Sequence, residues 1–132
     1  MTSEPPPPDY SDRWESQWQA GGTVLQPGQA FDAAGASPVL RGLLSSGELA
    51  VAGKSVFVPG CGRGYDLVAF AQAGAASVVG LELAPTAAEQ ANEYVGSQLG
   101  AGSAAAVVQG DFFKFEAPGA GFDAGYDYTF LW

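Results

Sequence analysis

The 132-residue chain sets fourteen acidic side chains against five basic ones, a formal charge of −9. It has no Lys/Arg stripe able to neutralise phosphates, so nucleic acid is not an expected partner. Histidine is absent and Cys61 is the single cysteine, which excludes imidazole chemistry, an internal disulfide and a multi-cysteine metal site; no metal is expected. The length allows one domain at most, and the wealth of glycine and alanine points to a core of small residues.

Residues 1–9, polar and with four successive prolines, read as an extended, disordered leader, and residues 10–132 as the folded domain. The start lacks a signal-peptide pattern, and no apolar stretch is long enough to span a bilayer. The expected setting is therefore cytoplasmic, away from membranes. "SDRWESQWQA", residues 11–20, places Trp14 and Trp18 at helical spacing behind a capping serine. A Gly/Pro-rich loop follows, and "PVLRGLLSSGEL" resumes helical periodicity with Pro38 in its first turn. From Lys54 the pattern becomes strand, loop, helix and strand: "KSVFVPG", "YDLVAFAQAG", then "ASVVGLE" ending at Glu82. A helix from Pro85 to about Leu99, a strand "AAAVVQG" and a last strand within "FDAGYDYTFLW" complete the series. This alternation predicts an open, mostly parallel α/β sheet with helices on both faces.

In such sheets ligands bind beyond the carboxyl ends of the strands. The loop "PGCGRGYD" is at that place. Gly60 and Gly62 permit positive φ and remove the Cβ atoms that would hold a ligand off the main chain, and Gly64 lets the helix begin close to the strand. A tight βα turn uses glycine for geometry alone in many proteins, and a strand-end acid is often simply solvated. Glu82, however, follows the glycines by about twenty residues, the spacing at which a carboxylate accepts bonds from ribose hydroxyls, so loop and acid together specify a nucleoside. A dinucleotide fingerprint would read G-x-G-x-x-G; here Tyr65 stands at the third-glycine position, which favours S-adenosylmethionine over pyrophosphate. "QGDFFKF" then puts Asp111 at a strand end beside Phe112, an acceptor for the adenine amino group and a ring to cover the base. The competing reading is an aspartate capping a turn with phenylalanines in the core.

With "VPGCGRGYD", "VVGLEL", "GDFF" and "FDAGYDYTF" in this order, the chain resembles the thiopurine S-methyltransferase family, above all its plant, fungal and algal thiol or halide methyltransferases. The resemblance runs from about Trp14 to Leu131. It implies the N-terminal half of a Rossmann-like class I S-adenosylmethionine-dependent methyltransferase fold, C-terminally incomplete after its fourth strand, and a complete protein that is a monomer. In that family a segment W-x-x-x-W-x-x-G, here Trp14, Trp18 and the Gly21/Gly22 pair, folds over the cofactor. The resemblance also implies that Leu25 joins this wall and that Asp32 is the family's turn acid. Gly60 would approach the amino-acid end of the cofactor, Glu82 hold the ribose and Asp111 lie near adenine, with Tyr128 beside the methyl group and acceptor. Core packing at i, i+4 spacing is the alternative for the tryptophans, and a buried central-strand tyrosine the alternative for Tyr128.

The implied reaction is methyl transfer to a small thiol or halide. A thiol ionises readily near neutral pH and a halide carries no proton, so no protein base is required and the missing histidine is accommodated. A chain ending at its fourth strand is expected to expose that strand's edge and to be a poor enzyme alone. Two other classes stand beside this one: a non-catalytic cofactor-binding remnant of the family, and an NAD-binding oxidoreductase disfavoured by Tyr65. The sequence does not choose among halide, bisulfide, aryl thiol and thiopurine acceptors.

Overall fold

The computed structural model describes residues 10–19, 24–29, 32–100 and 102–127. The leader at 1–9, Gly21, Gly22 and Tyr128 lie outside the described residues. The elements are α1 (Tyr10–Trp18), α2 (Pro38–Ser46), β1 (Ser55–Pro59), α3 (Tyr65–Gln72), β2 (Ser77–Glu82), α4 (Pro85–Leu99), β3 (Ala105–Gln109), a single 3-10 turn (Phe112–Lys114) and β4 (Ala124–Gly125).

The four strands form one sheet in the order β3-β2-β1-β4, and every pair is parallel. β1 and β2 run in register from Ser55 opposite Ser77 to Pro59 opposite Leu81. Side chains alternate between faces along each strand, so Val56, Val58, Val78, Val107 and Ala124 share one face. All of them belong to the main core or pack against it, together with Leu67, Val68 and Phe70 of α3, Ala91 and Val95 of α4 and Leu40 of α2. The closest approach is at Gly80, where a Cβ would stand 2.6 Å from Leu67 Cδ1 and 2.9 Å from Cys61 Sγ. Only glycine lets α3 settle that near β2.

The sequence pattern predicts helices on both faces, whereas the described helices that pack on the sheet share a single face. The winding explains this. From β1 the chain moves outward through β2 to β3, and right-handed crossovers in one direction leave α3 and α4 on the same side. It then returns past β1 to β4, and the same handedness carries that connection over the opposite face. The return, residues 110–123, contains only the 3-10 turn. It covers the second face with aromatic rings: Phe115 and Phe122 stack on Phe57 with centroids 5.2 and 4.9 Å away, and Phe112 lies at 6.3 Å.

The helix ends follow local rules. α2 stops at Gly47, whose φ of 81° and N–H to Leu44 O make a left-handed C-cap. α4 begins with Pro85 at its first turn and has no side-chain cap of its own. Glu15 of α1 supplies one from outside: its carboxylate accepts the Thr86 N–H at 2.9 Å and the Thr86 hydroxyl. Burial works against the charge on Glu15, but the bonds from Thr86 and Gln19 outweigh it and hold the carboxyl below its usual range.

Candidate functional site

The direction of winding changes at β1, so the crevice beyond the carboxyl ends of β1 and its neighbours is where an open α/β sheet receives a ligand. The loop leaving β1 there contains Gly60, Gly62 and Gly64 with φ of 60°, 56° and 90°. Three left-handed residues in five are accessible to glycine without strain. Gly60 is exposed, and its main chain is open to approach.

Glu82, at the end of β2, faces this loop. Its carboxylate accepts the Gly62 N–H at 2.8 Å and the Ala84 N–H at 3.4 Å. Burial pushes its carboxyl above the ordinary value, and bonds from the Gly62, Ala84 and Leu83 N–H groups pull it partly back. Acid and loop, twenty residues apart in sequence, are thus one unit. Cys61 lies between them, buried, and its thiol is pushed well up first by burial and then by the charge on Glu82. It remains a protonated packing group and not a nucleophile.

Trp18 and Leu25 come to the same place. Both are buried, in a cluster with Ala84 and Ala87 at the start of α4. A Cβ on Gly62 would sit 3.8 Å from the Trp18 ring, so the indole lies directly along the glycine loop. Trp14, one turn earlier, is 45% exposed. The i, i+4 pair therefore divides, with the turn nearer the loop enclosed and the other half open.

Asp111 and Phe112 stand beyond β3. Asp111 accepts the Phe113 N–H at 2.9 Å and so caps the 3-10 turn, while Phe112 is 36% exposed and faces Phe57 and Phe113. Capping and packing are the uses this structure shows for them. An open cleft of about 370 Å³ borders Asp111, lined also by Gln109, Lys114 and Phe115. Among the described residues no group of His, Cys, Asp and Glu is placed to hold a metal ion, and no helix is long and apolar enough to cross a membrane.

The sequence pattern did not disclose a buried polar cluster behind the loop. Arg63 Nε donates to Asp32 Oδ2 at 2.9 Å, and Tyr65 donates its hydroxyl to Asp32 Oδ1 at 2.7 Å. Burial opposes the charge on Asp32, but the bonds from Tyr65, Arg63, Ala34 and Gly28 hold its carboxyl below the usual range. Burial and the same aspartate push the Tyr65 phenol well above its own. The signal available beforehand was the arginine itself, one of only five basic residues in the chain, set between two glycines.

A parallel sheet with a glycine loop and an acid at the next strand end is the architecture of S-adenosylmethionine-dependent methyltransferases, and solved structures bear out the fold. A methyltransferase from Thiobacillus denitrificans in complex with S-adenosyl-L-homocysteine superposes with a TM-score of 0.60 at 22% identity, over 73% of this chain and 38% of that one. Magnesium protoporphyrin IX methyltransferase from Synechocystis gives 0.58 at 24% identity, over 70% and 40%. The chain belongs to the thiopurine S-methyltransferase family, whose profile matches residues 10–132. Among curated relatives, a probable thiol methyltransferase 2 from Arabidopsis thaliana is 38% identical over 118 residues, which are 89% of this chain and 47% of that protein. A thiocyanate methyltransferase 1 from Brassica oleracea is 36% identical over 88% and 46%. The chain thus spans about half the length of the curated relatives it matches.

Proposed function

We propose that this chain carries the cofactor site of an S-adenosylmethionine-dependent methyltransferase acting on a small thiol, thiocyanate or halide acceptor. The observation that carries the reading is the Glu82 carboxylate bonded to the Gly62 N–H at the point where the sheet's winding changes direction, in a chain of this family. The residues fit the group. A carboxylate offers about four acceptor directions, of which the N–H groups of Gly62, Leu83 and Ala84 use three; the remaining capacity suits a ribose hydroxyl. Gly60 offers bare main chain to an amino-acid tail, and Asp111 an acceptor at the next strand end.

S-adenosylmethionine supplies, when bound, a methyl group on a positively charged sulfur that a thiolate or a halide can displace. This chain's part is to bind and orient, and orientation alone is worth roughly 7 to 11 kcal/mol in well-aligned reactions. Trp18 and Leu25 exclude water along the glycine loop. We assign Trp14 to the same wall, Phe112 to the adenine side and Tyr128 to the acceptor side. No residue is assigned as a base, since none of these acceptors demands one. We assign the protein to the cytoplasm, and its acidic charge accords with a small-molecule rather than nucleic-acid partner.

Calorimetric titration with S-adenosylhomocysteine tests the assignment. Glu82→Ala removes a charged acceptor whose bonds are each worth about 1.5 kcal/mol or more, and affinity is expected to fall at least about tenfold. Because Glu82 also serves the loop's own N–H groups, Glu82→Gln is the companion variant. It keeps one acceptor oxygen and is expected to lose less. Unchanged affinity in both folded variants would refute the role.

A further inference from the structure

Arg63 lies inside the cofactor loop, between Gly62 and Gly64, yet only 6% of its side chain is exposed. An arginine in such a loop would ordinarily be read as a hand for the ligand's negative end. Its donors are instead spent in the other direction. Nε goes to Asp32, one terminal nitrogen to Gln90 Oε1 at 2.8 Å, and the other to the Leu25 carbonyl at 2.6 Å. Its Cζ lies over the Trp18 ring, 5.4 Å from the centroid.

Each partner comes from a different part of the chain. Trp18 ends α1, Leu25 precedes the turn at 26–29, Asp32 follows that turn and Gln90 is on α4. Asp32 in turn accepts the Gly28 and Ala34 N–H groups and the Tyr65 hydroxyl, so the turn is closed by the same carboxylate that receives the arginine. One peptide before Arg63, the Gly62 N–H is bonded to Glu82. The guanidinium therefore sits at the junction between the wall and the acceptor of the proposed cofactor site.

A buried ion pair is weak evidence for stability, since apolar residues of the same volume often serve as well. It does fix direction: a planar fork with three distinct partners admits few arrangements, which a lysine would not reproduce. We infer that Arg63 is a positioning residue of the cofactor site, its guanidinium fastening Trp18, Leu25 and Asp32 to the glycine loop and holding the loop in the shape that presents Gly62 to Glu82. The inference rests on the cofactor reading above.

The test uses the whole chain and S-adenosylhomocysteine as the probe, with Arg63→Lys, Asp32→Asn and Gln90→Leu compared at a temperature where circular dichroism shows each to be folded. Arg63→Lys keeps the charge and loses the fork. Gln90→Leu cuts the tie to α4 without leaving a charge unpaired, and serves if the other two do not fold. Affinity is expected to fall about tenfold in the first two, within the usual range of coupling between sites, and about threefold in the third, below that range. Acrylamide quenching of Trp18, read in a Trp14→Phe, Trp132→Phe background, is expected to rise with each loss. A residue that only stabilised the fold would lower the melting temperature and leave both readings unchanged in the folded protein; that result would overturn the inference. Failure of the wild-type chain to bind would strike the cofactor reading instead, and the Trp18 quenching would still decide whether Arg63 holds the wall.

Discussion

Val78 and Val79 are neighbours on β2 with opposite surroundings. Val78 is fully buried in the cluster with Leu67, Phe70, Ala91 and Val95, whereas Val79 is half-buried on the face it shares with Phe57. The first face has α3 and α4 fitted against it. The second has a fourteen-residue return from β3 to β4, and its outermost ring, Phe113, is 87% exposed. The contrast follows from strand order and handedness rather than from hydrophobicity, since the two valines are chemically identical. The change of winding that leaves the faces unequal is also what opens the crevice at the end of β1.

That comparison can be broken on one strand. Val78→Ala removes two buried methyl groups and leaves a cavity, an expected loss of about 2.5 kcal/mol, while Val79→Ala should cost about 1 kcal/mol. Urea denaturation of both variants measures the difference. Equal losses would mean that the second face is as firmly packed as the first.

The covered side also takes in a charge, which sharpens the contrast. Asp66, in the first turn of α3, is raised to about 6 by burial, against which the Ser37 N–H pulls only partly. A carboxyl raised in the folded state stabilises fully below its unfolded value, near 3.9, and that contribution is lost as pH rises through 6. At neutral pH the ionised Asp66 therefore costs stability. Asp66→Asn is expected to raise stability by about 2 kcal/mol near pH 7 and by nothing near pH 4. Denaturation at the two pH values reads it; a gain independent of pH would show that ionisation is not the cause.

Much of this was legible in the sequence because the signals are local. Apolar runs mark β1 and β2, Pro38 and Pro85 mark helix starts, and the run from Gly60 to Glu82 has the spacing of a loop, a helix and a strand. The inequality of the faces was not legible, because strand order is a long-range property and residues 110–123 have no periodicity to betray the ring stack on Phe57. Arg63 and Asp32 are 31 residues apart, and nothing in a 3.6 or 2 residue period connects them. Trp14 and Trp18 share a spacing but not a fate. Trp18 is enclosed where it meets the glycine loop, and Trp14 is 45% exposed.

The central claim, that the winding change at β1 with the glycine loop and Glu82 forms the cofactor site, is tested most directly by an amide-resolved NMR titration of the chain with S-adenosylhomocysteine. The account predicts saturable shifts concentrated at residues 60–64, 82–84 and 110–112, the carboxyl ends of β1, β2 and β3, with the helix-covered interior of Val56 and Val78 little affected. Saturable binding whose shifts gather instead around Phe113 and Val79 on the second face, leaving Gly62 and Ala84 unmoved, would contradict it.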